Sequence, residues 1–377
     1  MRIAAVIIAA LGAALPWTAS ACDVERPSGQ APCTLAAVDA LPLAALQFIG
    51  THNSYKLAIP TAELAAHHAV DAAGADGLDY AHSSLPAQLD LGVRTLELDV
   101  YHDPQGGRYL APPGAHRRGY AAPPWSPADL ARMRAPGFKV MHLQDIDFRS
   151  SCVTFVQCLQ QVRDWSATHP WHAPIMISVN AKDGAGGQKA TPALPFDAAA
   201  FDALDAEVRG VFGAAQLFQP VHLRGSHRSL PEAVRAQGWP TLGRMRGKVF
   251  LVLDEGPAKR AIYRARGTSP AMFVASDRIE DDSAIAILNE PLGQRRDIAR
   301  ALKAGLLVRT RADADTREAR TGATQRREAA FASGAQFVST DYPRPDPRWP
   351  EYRVEFPGGG FLRCHPAHPA CASLMEP

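Results

Sequence analysis

No part of this 377-residue chain carries a long basic run or a basic stripe at helical spacing. Its 40 Lys and Arg against 38 Asp and Glu leave a formal charge of +2. Composition therefore gives no argument for a nucleic-acid partner, and the short cluster His116-Arg117-Arg118 reads as solvated surface. No CxxC and no HxxxH spacing occurs, which argues against the usual zinc frameworks. No internal repeat is evident, so a solenoid is not expected. Beyond the N-terminus no segment is a convincing membrane span. What remains is a chain with 46% apolar residues, long enough for one large α/β barrel or for two ordinary domains.

The N-terminus has the layout of a secretory signal. Arg2 precedes an apolar run over 3–15, and the small residues Ala19-Ser20-Ala21 follow. Cleavage after Ala21 is expected, with a secreted or periplasmic product. Cys22 stands directly after that point, but Ala19 occupies the place where a lipoprotein signal favours Leu. The six cysteines fall into three close pairs, 22 and 33, 152 and 158, 364 and 371. An even number in an exported chain favours disulfides, and sequence-adjacent pairing is one of several connectivities.

Apolar, strand-like runs recur at 46–49, 93–101, 139–144, 174–180, 249–254, 272–276, 306–311 and 336–340. Helical segments fall between them, at 153–169, 198–211, from Ser229, and between Pro291 and Gly305. The run at 174–180 is apolar throughout, which suits a strand covered on both faces. Strands alternating with helices predict a parallel sheet. A single (β/α) TIM-type barrel, with long strand-to-helix loops, is preferred over an open sheet because of where the polar residues fall. The first run ends at His52-Asn53. The second carries Glu97 and Asp99, the third His142, and the fourth ends at Asn180, with Lys182 and Asp183 following. Strand C-termini form the active rim of such barrels. The expected division is a signal at 1–21, an extension at 22–45, the barrel at 46–343 and a surface tail at 344–377. Long loops at 57–84 and 102–138 belong to the rim, the latter carrying Tyr109, Tyr120 and Trp125.

Two histidines beside a divalent-metal site suit phosphodiester cleavage. One removes a proton from a nucleophilic hydroxyl and the other protonates the leaving oxygen. Asn53, Glu97 and Asp99 are hard oxygen donors, and Glu97 and Asp99, two apart on a strand, point to one face.

Gly50-Thr51-His52-Asn53-Ser54-Tyr55, Gly92-Val93-Arg94-Thr95-Leu96-Glu97-Leu98-Asp99-Val100 and the His142 run resemble the catalytic X region of phosphatidylinositol-specific phospholipases C. The secreted, calcium-dependent bacterial group is the nearest in character. Asp147-Phe148-Arg149-Ser150-Ser151-Cys152 and the segment from Gly334 to Thr340-Asp341-Tyr342-Pro343 are also similar to that group, so the likeness runs from about Gln47 to Pro343.

The resemblance implies His52 as general base and His142 as general acid. It implies Ca2+ held by Asn53, Glu97, Asp99 and Asn180, with Lys182 facing the phosphate. The substrate would be a phospholipid at a membrane surface; no protein partner is evident. The family pattern places a glutamate where Asn180 stands, which predicts weaker calcium binding unless Asp183 reaches the metal. Two alternatives stay open: a barrel phosphodiesterase for another head group, and a catalytically impaired barrel that binds inositol lipid or glycan at the cell surface.

Overall fold

The computed structural model describes residues 22–112, 124–184 and 191–375. The signal-like segment at 1–21, the cluster His116-Arg117-Arg118 and Tyr120 lie outside the described residues. Strands β1 (Leu46–Thr51), β2 (Thr95–Tyr101), β3 (Lys139–Val140), β4 (Ile175–Ala181) and β5 (Val249–Leu253) are followed by β6 (Phe273–Ala275), β7 (Ser283–Ile287), β8 (Leu307–Arg311), β9 (Phe337–Thr340) and β10 (Leu362–Cys364). Eight of them pair in parallel in the order β1-β2-β4-β5-β6-β7-β8-β9, and β9 returns to β1. This is a closed TIM-type barrel with helices around it, the expected fold class. β3 and β10 pair antiparallel with β2 and β1 outside the ring.

Closure rests on one close approach. Gly50 of β1 lies opposite Thr95 of β2, and a Cβ on Gly50 would stand 2.3 Å from the Thr95 Cβ. Only glycine lets the first and second strands meet there.

The barrel interior changes character along its axis. On the N-terminal side Phe48, Met176, Phe250 and Phe337 are fully buried in one apolar cluster, with the Phe48 and Phe337 rings stacked at 5.4 Å. Toward the C-terminal ends of the strands, polar and charged side chains take over. Gly50 and Ser339 follow Phe48 and Phe337, Asn180 lies opposite Asp99, and Arg311 opposite Ser339. Residues 22–45 close the floor: Val24, Val38, Leu41 and Leu43 join the apolar cluster, Arg94 grips Glu25 through two bonds of 2.8 and 2.7 Å, and Arg246 binds Asp39 at 2.7 Å. The surrounding helices follow local rules. The helix Ala198–Val211 is capped by Asp197, which accepts from the Ala200 N–H, and it buries Ala200, Phe201, Leu204, Val208 and Val211 at three- and four-residue steps.

The structure revises the sequence reading in three places. The run at 139–144 is not a barrel strand: β3 has two residues, runs against β2, and the chain turns at 143–147, where Asp147 N–H bonds back to the Leu143 carbonyl. The side chain of Lys139 is buried against Asp103 at 3.3 Å, an arrangement that alternating polarity does not announce. Second, β7 was not anticipated. Its Ser-Ala-Ile-Ala-Ile sequence is weakly patterned, and only residues 276–282 separate it from β6, with no helix between. Third, the segment expected as a surface tail supplies β10 and buries Tyr352, Val354 and Phe356. The disulfides are Cys22–Cys33, Cys152–Cys158 and Cys364–Cys371, the sequence-adjacent set.

Candidate active site

His52 follows β1, and its N–H donates to the Thr340 carbonyl of β9 at 3.1 Å, which fixes it at the barrel mouth. Its Nδ1 lies 2.8 Å from Asp341 Oδ1 and 3.2 Å from the Tyr80 hydroxyl. Asp341 is buried, and its carboxylate can only accept, so Nδ1 carries the ring proton. An Arg311 N–H then points at Nε2 from 3.4 Å, which requires Nε2 to be a lone pair. The Glu97 carboxylate is 3.6 Å from the same atom. Burial, reinforced by Arg311 and opposed by Glu97, holds the His52 pKa well below the ordinary imidazole range. The ring is therefore neutral, with its basic nitrogen turned into the mouth. His82 supports it by donating from Nε2 to the His52 carbonyl at 2.8 Å, and burial lowers its own pKa to about 4.

His142 lies on the excursion between β2 and β4, two residues beyond β3, not on a strand end of the ring. The Tyr101 hydroxyl donates to its carbonyl at 2.9 Å. Its Nδ1 is 2.9 Å from Asp147 Oδ2, and Asp147 Oδ1 is 3.3 Å from the ammonium of Lys56; Asp147 and Lys56 are both fully buried. Lys56 also donates to the Tyr80 carbonyl at 2.7 Å, and its ammonium lies over the Tyr80 ring. The two histidines thus share a pattern, Nδ1 on a buried carboxylate in a ring that is partly exposed, and Tyr80 touches the supports of both.

Asn53, Glu97, Asp99 and Asn180 are all at this mouth. Asn53 has a left-handed backbone (φ 46°), which Asn tolerates, and its Nδ2 donates to the Tyr80 hydroxyl at 2.8 Å. The Glu97 backbone is clamped to the turn after β1, its N–H donating to Ser54 Oγ at 2.8 Å. Asn180 Nδ2 donates to Glu97 Oε1 at 3.2 Å, while Glu97 Oε2 is held by Arg309. Asp99 Oδ2 lies 2.9 Å from the Lys182 ammonium. Lys182 is therefore drawn to a carboxylate, with 34% of its side chain still exposed. Asp183 does not reach this group: it binds Lys259 at 2.9 Å. Arg94, a conceivable partner of Glu97, is instead committed to Glu25.

The donors fit a hard divalent cation. They are all oxygens, two carboxylates and two amides, and Asp99 Oδ1 is buried without a hydrogen-bond partner among the described residues. The charge they offer is low, and Arg309 and Lys182 already face it. Among the described residues no three His, Cys, Asp or Glu side chains converge as a ready metal cluster.

Several residues of the mouth carried no role in the sequence reading. Asp147 and Asp341 lie inside the family-like segments, five residues after His142 and directly after β9. Arg309 and Arg311 give only an alternation, and Tyr80 gives no signal. Asp254, directly after β5, continues the row begun by Asp99 and Asn180; burial, helped by Glu97, Glu255 and Asp99 against Arg309, pushes it up to about 7.

The family described as phosphoinositide phospholipase C, Ca2+-dependent, has a sequence model that matches residues 41–366. A search of curated proteins finds no match. Among solved structures, the chain is similar to a calcium-dependent phosphoinositol-specific phospholipase C from a Gram-negative Pseudomonas species, in its apo form and in complex with myoinositol. Identity is 18% and the TM-score 0.54, over 86% of this chain and 96% of that one. It is also similar to a Ca2+-dependent phosphatidylinositol-specific phospholipase C from Streptomyces antibioticus, at 18% identity and TM-score 0.52, over 83% of this chain and 98% of that one. These likenesses carry the fold, while the family match spans nearly the whole described chain: the protein belongs to the Ca2+-dependent phosphoinositide phospholipase C family.

Proposed function

We propose that this phosphoric diester hydrolase cleaves phosphatidylinositol to diacylglycerol and an inositol phosphate by way of a cyclic 1,2-phosphate, with residues 46–343 as the catalytic barrel. The observation that carries the reading is the pair of His–carboxylate dyads opening on one mouth, His52–Asp341 and His142–Asp147, both at hydrogen-bond distance. His52 Nε2, neutral and basic, takes the proton of the inositol 2-hydroxyl as that oxygen attacks phosphorus. His142 Nε2 donates a proton to the departing glycerol oxygen. Each Nδ1 keeps its proton and donates it as a hydrogen bond to its carboxylate partner, which fixes the tautomer and ring orientation. Asn53, Glu97, Asp99 and Asn180 would hold the calcium ion of this family, which supplies positive charge against the phosphate. Lys182, 2.9 Å from Asp99 Oδ2, would turn to the phosphate when a metal takes that carboxylate.

The substrate is met at a lipid surface. Leu57, Leu143 and Ile146 are exposed on neighbouring loops of the active rim, joined where Leu57 N–H bonds the Arg149 carbonyl. Three disulfides suit an oxidising compartment, in keeping with export by the N-terminal segment. No helix of the described residues is long and apolar enough to cross a membrane.

The test is product analysis from phosphatidylinositol vesicles with added calcium. Diacylglycerol and inositol phosphate are expected, and loss of turnover in neither His52→Ala nor His142→Ala would sink the assigned pair. A second reading, a barrel that binds inositol lipid without turnover, has the cation-covered carboxylates Glu97 and Asp99 on its side. Vesicle binding without product would favour it; turnover insensitive to a chelator would keep the enzyme and reject the metal site.

A further inference from the structure

We propose that Arg311 is a catalytic residue that binds a non-bridging oxygen of the reacting phosphate; this rests on the phosphodiesterase reading above.

The surroundings of the guanidinium leave it short of acceptors. Arg311 is the last residue of β8, and its side chain is 13% exposed. One Nη2 N–H goes to Asp341 Oδ2 at 3.1 Å, and Nη1 reaches His52 Nε2 at 3.4 Å. Nε is buried and has no hydrogen-bond partner among the described residues. Five donors thus meet one good acceptor and one long contact. A buried guanidinium left so incompletely satisfied is costly unless another acceptor arrives.

That acceptor is defined by the chemistry of Nε2. The hydroxyl proton must go to this nitrogen, so substrate binding replaces the long Arg311–His52 contact with a hydroxyl. The attacking oxygen bonds to phosphorus, and the non-bridging oxygens of that phosphorus therefore arrive beside the displaced guanidinium. Planar N–H pairs match phosphate oxygens well, and the match strengthens as charge builds on them. The other cations of the mouth are committed. Arg309 is spread over Glu97, Asn289 and Ser339, and Lys182 lies on Asp99 until a metal takes that carboxylate and frees it as a second phosphate cation. Asp341 holds both His52 and Arg311, one on each oxygen, so it sets the base and the phosphate donor at a fixed separation.

The step balances without a further reactant. The 2-oxygen forms a bond to phosphorus and its proton passes to His52 Nε2. The bond from phosphorus to the glycerol oxygen breaks, and that oxygen takes a proton from His142 Nε2. Arg311 donates hydrogen bonds throughout and changes no covalent bond.

The competing role is purely positional, with Arg311 only keeping His52 neutral. The two separate in Arg311→Gln. As a phosphate ligand, Arg311→Gln lowers kcat by about 10²–10³-fold at every pH, including the plateau where His52 is fully neutral. It also weakens calorimetric binding of inositol 1,2-cyclic phosphate by about ten- to a hundredfold while leaving binding of uncharged myo-inositol unchanged. A plateau rate equal to that of the native protein, with only the acidic limb displaced, overturns the proposal, as does unchanged affinity for the cyclic phosphate. Circular dichroism checks the fold; should Arg311→Gln not fold, Arg311→Lys is read in its place, with smaller losses in the same direction and the same overturning results. If the native protein gives no product from phosphatidylinositol, the function reading fails first and takes this inference with it. Turnover by the native protein with undiminished cyclic-phosphate binding by the variant removes the inference alone.

Discussion

The two dyads of the mouth have the same geometry at Nδ1 and different surroundings. His52–Asp341 is built on β1 and β9, adjacent strands of the ring, and has two arginines of β8 beside it. His142–Asp147 is built on one turn of an excursion, and its countercharge is Lys56, sealed behind the carboxylate rather than facing the substrate side. On the proposed assignment, this difference gives one residue type two tasks. A cation next to the ring makes protonation harder and suits a base. At His142 the cation stands behind the carboxylate instead of facing the ring, an arrangement that suits the proposed acid.

Breaking either ring tests the comparison most severely. His52→Ala and His142→Ala are each expected to lower kcat for phosphatidylinositol by about 10²–10⁴-fold, measured as product release at saturating substrate. Asparagine in place of either carboxylate is expected to act through tautomer and orientation. Asp341→Asn should reduce kcat strongly with little change in the affinity for myo-inositol.

Lys56 separates stability from chemistry. Lys56→Met leaves Asp147 as a buried charge without its ion partner, and a loss of about 3–5 kcal/mol is expected in urea unfolding. The equivalent change at Arg311, which is less buried and nearer the mouth, should cost less stability and more rate. Equal stability losses would remove the distinction between a sealed and an open countercharge.

The pH dependence sharpens the same contrast. The His52 pKa is depressed by burial first and by Arg311 second. As the proposed base, His52 is therefore usable at pH values where an ordinary histidine would already be protonated, and activity is expected to fall only as pH drops through its lowered pKa. The acidic limb of kcat/KM is expected below 6.5, and Arg311→Gln should move it upward toward that value.

The smallest effect concerns the metal. Asn180→Glu adds a carboxylate next to Glu97 and opposite Asp99, and calcium affinity by calorimetry is expected to rise on the order of tenfold, because charge count sets affinity in such sites. No gain would mean that Asn180 does not limit the site.

Much of this arrangement is legible along the chain because its causes are local. The apolar run at 174–180 becomes β4, and the Asp197-capped segment becomes a helix with the expected bounds. His52 and Glu97 sit in short motifs whose spacing fixes which side chains share a face. The third strand was misread because Val140 and Met141 look like barrel residues, while the closure of β2 on β4 leaves no room for another strand between them. β7 was missed because short alanine-rich strands owe their conformation to neighbours on both sides rather than to their own pattern.

The barrel class follows from sequence, as do the close spacing of the three cysteine pairs and the candidate histidines and oxygen donors, because each rests on local pattern; the disulfide connectivity came from the fold. Only the tertiary structure decided which charge faces which. Asp341 is 289 residues from His52, Arg309 is 212 from Glu97, and Arg311 is 259 from His52. Such partners are chosen by strand order and register around a closed ring. Coulomb and hydrogen-bond energies depend on separations of a few ångströms, which sequence distance does not encode.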